Sequence, residues 1–154
     1  MSTRCRSTDT GWPVIDESAP IAADEWLIRL VFWDCFIRPR AFQPRDGRNP
    51  DTDGLSLFRE ACLPTPEAAL AAVAEDKRDY YGIVAIPVAC LAACPFPLSV
   101  IPAPNPDVRG HAIIPELNIA AFKRDKASLA RAMTFLAEIA ERTIRRAPIQ
   151  NGPP

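Results

Sequence analysis

The stretch Asp125-Lys-Ala-Ser-Leu129-Ala-Arg-Ala-Met133-Thr-Phe-Leu136-Ala-Glu-Ile139-Ala-Glu-Arg142-Thr-Ile144-Arg-Arg-Ala-Pro148 decides what kind of fold this chain makes. Leu129, Ala132, Met133, Leu136, Ile139, Ala140, Thr143 and Ile144 recur at the spacing of one helical face. Asp125 stands where a side-chain oxygen can accept from first-turn amides, and Pro148 cannot continue a helix. Glu138 to Arg142 and Glu141 to Arg145 are i,i+4 pairs in the favourable orientation, worth about 0.2–0.5 kcal/mol each. Arg142, Arg145 and Arg146 would complement the dipole in the last turns. The reading is a long amphipathic helix between Asp125 and Pro148. Such a helix is marginal alone in water, so its apolar stripe needs a layer to lie on.

Short strands upstream supply that layer. Trp26–Phe36 is an apolar block interrupted only by Arg29 and Asp34. Period does not separate strand from helix there, but β-branched and aromatic content favours a strand over Leu27–Phe32, followed by an irregular or helical turn. Gly54–Phe58, Tyr81–Ile86, Leu98–Ile101 and His111–Ile114 are further strand candidates. Two short helices are expected between them. One begins at Thr65 as N-cap, with Pro66 at N1 and Glu67 in the first turn, and runs to about Ala74; the other follows Pro87 and must stop before Pro95. Seventeen prolines keep every element short, because proline removes a donor and restricts its neighbour. The predicted fold class is α+β: one small mixed or antiparallel sheet of short strands, two short helices and the long C-terminal helix. Residues 1–23 show no period and read as a disordered or loosely packed tail, 24–148 as a single domain, and 149–154 as a disordered C-terminus.

Composition narrows the function classes. Apolar residues make up 48% and charged residues 24%, the ordinary globular mixture. A net charge of -1 gives no field to draw in nucleic acid or acidic lipid, and no stretch approaches the roughly 20 apolar residues of a membrane span. Five cysteines without a secretory signal read as reduced thiols in a cytoplasmic protein. There is no Gly-rich phosphate loop, no G-x-S-x-G, no H-E-x-x-H and no C-x-x-C.

A few residues remain as candidates for chemistry. Cys90 and Cys94, with His111 and Cys62, could supply zinc ligands. Their surroundings are apolar, however, and buried free cysteine behaves as a small hydrophobe, so neither metal nor cofactor is expected. His111 is the only histidine and enters a strand after the stiff Pro102–Pro106 loop, a place that suits an acid or base as well as a satisfied structural residue. Ser56 could be a nucleophile or orienting hydroxyl only with a base in reach, which His111 alone could provide. Arg38, Arg40, Arg45 and Arg48 stand in a loop anchored by Phe42, where Arg40 could hold a phosphate or carboxylate, or simply be solvated beside Asp46, Asp51 and Asp53.

In order along the chain, Leu27-Ile28-Arg29, Arg40-Ala41-Phe42, Gly54-Leu55-Ser56, Pro66-Glu67-Ala68, Tyr81-Gly82-Ile83-Val84, Pro102-Ala103-Pro104 and His111-Ala112 form a pattern. It resembles a set of small uncharacterised bacterial proteins and covers roughly residues 26–114. The resemblance implies a bacterial origin and carries no activity with it. Two readings of function follow. The first is a non-catalytic accessory or interaction protein whose partner, if it has one, is a protein, with neither nucleic acid nor membrane involved. The alternative is a small enzyme or ligand-binding domain for a phosphorylated or anionic molecule, using Arg40, Ser56 and His111. Whether those three side chains converge separates the two; oligomeric state is open.

Overall fold

A computed structural model of the chain describes residues 6–7, 13–47 and 50–152. Eight strands are present among them: β1 (Arg6–Ser7), β2 (Pro13–Val14), β3 (Trp26–Phe32), β4 (Leu55–Arg59), β5 (Tyr81–Pro87), β6 (Ile101–Pro102), β7 (His111–Ile114) and β8 (Ile144–Arg146). β1 and β2 pair only with each other, while the remaining six form one sheet in the order β6-β7-β4-β3-β5-β8, every neighbour antiparallel. The fold is α+β, and the alternative between a mixed and an antiparallel sheet is settled for the latter. None of the described helices is long and apolar enough to cross a membrane.

Alternation along the strands sorts the side chains onto two faces. Leu27, Val31, Leu55, Leu57, Val84, Ile86 and Ile114 point to one face and form the main core with Leu129, Ala132, Met133, Leu136, Ala137 and Ala140. These last six are the inward stripe of α2 (Lys126–Ala140), the helix read from the sequence. Each large side chain buried there contributes roughly 1.5–3 kcal/mol. Asp125 does cap α2, accepting from the Ser128 amide at 3.2 Å. Asp125 also ends α1 (Ile119–Arg124), a short helix that the sequence reading missed; its cap is Asn118, which accepts from the Ala121 amide at 2.8 Å.

The helix ends earlier than predicted. The Thr143 hydroxyl lies against the Ala85 and Ile139 carbonyls, to which it can donate, while the Ala85 amide donates to Thr143 O at 3.0 Å. The chain therefore leaves α2 at Ala140 and continues as the edge strand β8. Arg142, Arg145 and Arg146 lie outside the helix, and the expected Glu141–Arg145 pair is replaced by a long-range one: Arg145 binds Glu60 at 2.9 Å and lies 5.0 Å from the Trp26 ring centre.

The opposite face is covered by 3₁₀ turns. Pro66–Ala72 places Ala69 and Leu70, with neighbouring Leu63, against Ile28, Phe58, Ile83 and Ala85. Both expected short helices are 3₁₀ rather than α, the second spanning Val88–Ala93. Thr65 makes no side-chain cap, and its carbonyl instead accepts from the Ala68 amide. Gly82 is required by a close approach: a Cβ there would stand 2.3 Å from the Phe36 ring.

The predicted tail needs correction. Arg59 is wholly buried and donates to both carboxylate oxygens of Glu25 at 2.9 Å, and to the carbonyls of Glu17 and Ala19 at 3.3 and 2.9 Å. The Glu17 carboxylate accepts from the Gly110 amide, and Ile15 is buried. Residues 15–25 are thus strapped to the end of the sheet, because a buried guanidinium must find acceptors and this segment supplies them. Residues 1–5 and 8–12 of the predicted tail lie outside the described residues. At the other end, the amides of Ile149 and Gln150 both donate to the Asp79 carbonyl, so the first residues after Pro148 are tethered.

Candidate functional site

β4 and β7 pair with Ser56 opposite Ile113 and Phe58 opposite His111. Ser56 and His111 are therefore diagonal neighbours on one face, a separation that an imidazole can span. The Ser56 hydroxyl and His111 Nε2 are hydrogen-bonded. On the other side of the ring, Nδ1 lies 2.7 Å from the Ala103 carbonyl oxygen. A carbonyl only accepts, so Nδ1 carries a proton; in the neutral ring Nε2 then presents its lone pair and the Ser56 hydroxyl donates to it. Hydroxyl, base and orienting acceptor form one relay.

Each member is placed by local structure. Ala103 follows β6, and its amide donates to the His111 carbonyl at 3.0 Å, so the residue holding the ring is itself held by the same strand. Pro102 and Pro104 flank it, and a residue before proline is confined to extended backbone, which fixes the direction of the carbonyl. The His111 ring packs 5.9 Å from Phe58 at a tilt of 60°. Gly110, at φ 74°, turns the chain into β7; a Cβ there would stand 2.8 Å from the Cys62 side chain.

Behind Ser56 stands Arg29. Register between β3 and β4 is limited to Leu27–Arg59 and Ile28–Phe58, after which the strands splay. Arg29 fills the gap, with Nη1 donating to the Ser56 carbonyl at 2.8 Å and Nε to the Ala41 carbonyl at 2.9 Å. Burial lowers its pKa to about 10, an effect that the nearby Asp51 carboxylate partly opposes. It remains a cation at neutral pH. Both Arg29 and Ala103 were passed over as functional in the sequence; the signals were the first charge inside an apolar block and an alanine clamped between prolines.

Of the three residues proposed from sequence, the structure brings Ser56 and His111 together and leaves Arg40 apart. Ala41 and Phe42, beside Arg40, are buried in the core that packs on α2. Ser56 and His111 alternate with the strand residues of that core and face the other way. Arg40 itself is exposed. Arg48 lies outside the described residues. Cys94 belongs to the α2-side core, away from the His111 ring, and among the described residues no three His, Cys, Asp or Glu side chains gather to hold a metal ion.

Set beside known proteins, the chain matches no family model, no curated protein and no solved structure.

Proposed function

We propose that the protein is a small enzyme in which Ser56 is a nucleophile and His111 its general base, acting on the carbonyl of an ester-type substrate. One observation carries the reading: the relay from the Ser56 hydroxyl through His111 to the Ala103 carbonyl. An unassisted serine hydroxyl is a poor nucleophile, and an adjacent base whose other nitrogen is held by an acceptor is the arrangement that activates it. Attack by Ser56 Oγ forms the Oγ–C bond as its proton passes to His111 Nε2. The bond to the departing alcohol then breaks as that proton is delivered to the leaving oxygen. His111 Nε2 then takes a proton from a water whose oxygen bonds the acyl carbon, and the Oγ–C bond breaks as that proton returns to Ser56 Oγ, releasing the acid. An uncharged acyl substrate suits this setting better than the anionic one expected from sequence, since Ser56 and His111 share their face with Leu30, Phe58 and Ile113 while Arg40 stands on the other side. We also propose a bacterial cytoplasmic setting, a reading supported only by the resemblance and by the expectation of reduced thiols.

Incubation with a fluorophosphonate and peptide mapping tests the reading. Covalent label on Ser56 is expected, together with turnover of p-nitrophenyl butyrate that falls on the order of 100-fold or more in Ser56→Ala and in His111→Gln. A folded wild-type protein that neither takes the label nor turns over the ester would overturn it.

A second reading, a non-catalytic interaction protein, is favoured by a different feature, the open outer side of α2. It predicts that both variants above leave the protein's binding behaviour unchanged.

A further inference from the structure

The outer side of α2 carries a shallow groove of about 370 Å³ lined by Pro95, Ala130, Arg131, Thr134, Phe135 and Glu138. Pro95, Ala130 and Thr134 are exposed and small or rigid, Phe135 is half-buried, and the two charged side chains are exposed. Neither Arg131 nor Glu138 belongs to an ion pair among the described residues. They sit seven residues apart on a continuous helix, hence two turns and about 10.5 Å along its axis.

The occupant follows from symmetry and charge. One positive and one negative charge on an otherwise apolar strip give no net field to select an acidic or a basic partner. The midpoint between Arg131 and Glu138 falls between Thr134 and Phe135. A two-fold axis through that midpoint, perpendicular to the helix, sets Arg131 of one copy against Glu138 of the other, twice over. That is the self-complementarity an isologous interface requires. Thr134 lies beside the axis, where its small size lets two antiparallel helices approach, and Phe135 offers apolar surface from both sides. We infer that the groove receives a second copy of this chain, α2 packing antiparallel on α2. A 15-residue helix offers a contact about 22 Å long, at the small end of specific interfaces, so the dimer dissociates on dilution.

Sedimentation velocity from low micromolar to near-millimolar protein tests this. The wild type should shift reversibly from one to two chain masses. Arg131→Glu and Glu138→Arg should each weaken dimerisation at least about tenfold, since each turns two attractions into repulsions. An equimolar mixture of the two variants should recover it, because each copy then supplies the sign the other lacks. Both residues are exposed, so melting temperatures should stay close to wild type, and a circular dichroism melt verifies that each variant is folded. A wild type that stays monomeric throughout overturns the inference, as does a dimer indifferent to both reversals or variants that fail to recover in the mixture.

Discussion

Arg29 holds the carbonyl of Ser56 from behind the sheet while the hydroxyl of the same serine faces His111 in front. The two contacts lie on opposite faces of one strand, so the cation does not touch the Ser56 hydroxyl or the His111 ring. It supplies a donor where β3 and β4 have parted and no strand amide reaches. Ser56 is thereby fixed through its backbone, and Arg29 acts as a positioning residue.

Replacing Arg29 with methionine should leave the carbonyls of Ser56 and Ala41 without this donor, at about 1–3 kcal/mol for each one left unsatisfied. Urea unfolding measures the loss. Arg29→Lys should rescue only part of it, because one ammonium cannot reproduce a fork that spans two carbonyls from different segments. If the ester turnover proposed above is present, it should fall in the methionine variant even at temperatures where the protein stays folded. An unfolding midpoint equal to wild type would show that the strand junction does not depend on this cation.

The strap formed by residues 15–25 should matter to stability. Glu25→Gln leaves Arg59 buried opposite a neutral amide, and breaking a buried pair in this way costs roughly 3–5 kcal/mol. Deleting residues 1–23 removes Ile15 and the carbonyls of Glu17 and Ala19, and the melting temperature should drop by several degrees, at about 2–4 °C per kcal/mol. Differential scanning calorimetry reads both. An unchanged melt after the deletion would return this segment to the status of a loose tail.

Thiol reactivity should follow burial. Cys62 and Cys94 are buried and Cys35 and Cys90 half-buried. Burial pushes the Cys94 thiol above its ordinary value; burial, then the bond to Asp34, does the same at Cys35. Less thiolate is present at neutral pH at both sites, so alkylation should be slow there and quicken only as pH rises past the usual cysteine range. In the native protein Cys90 should react before Cys94 with iodoacetamide, and after denaturation all five cysteines of the chain should alkylate. Rapid native labelling of Cys94 would mean that the core beside α2 opens readily.

The inward stripe of α2, the Asp125 cap, the position of β5 and the α+β class were all legible in the chain, because amphipathic period and capping chemistry are local properties that survive into the fold. Where β-branched and aromatic residues crowd together, as in Trp26–Phe32, even an ambiguous period resolved correctly. What local pattern could not supply was pairing. Thr143 and Ile144 fit the helical stripe as well as Ala140 does, yet a strand edge beside Ala85 offers backbone partners that a further helical turn cannot match. Nothing local in the chain marks Arg59; only the return of residues 15–25 surrounds it with acceptors. The contact between Ser56 and His111, 55 residues apart, depends on register between β4 and β7, and a slip of one residue would have turned the serine to the other face. Sequence alone determined that the segment after Asp125 would be helix, that the cores of β3, β4, β5 and β7 would be strand, and which faces needed cover. Tertiary structure decided which polar groups meet, because hydrogen-bond partners are set by register and strand order, and neither is written in any single segment.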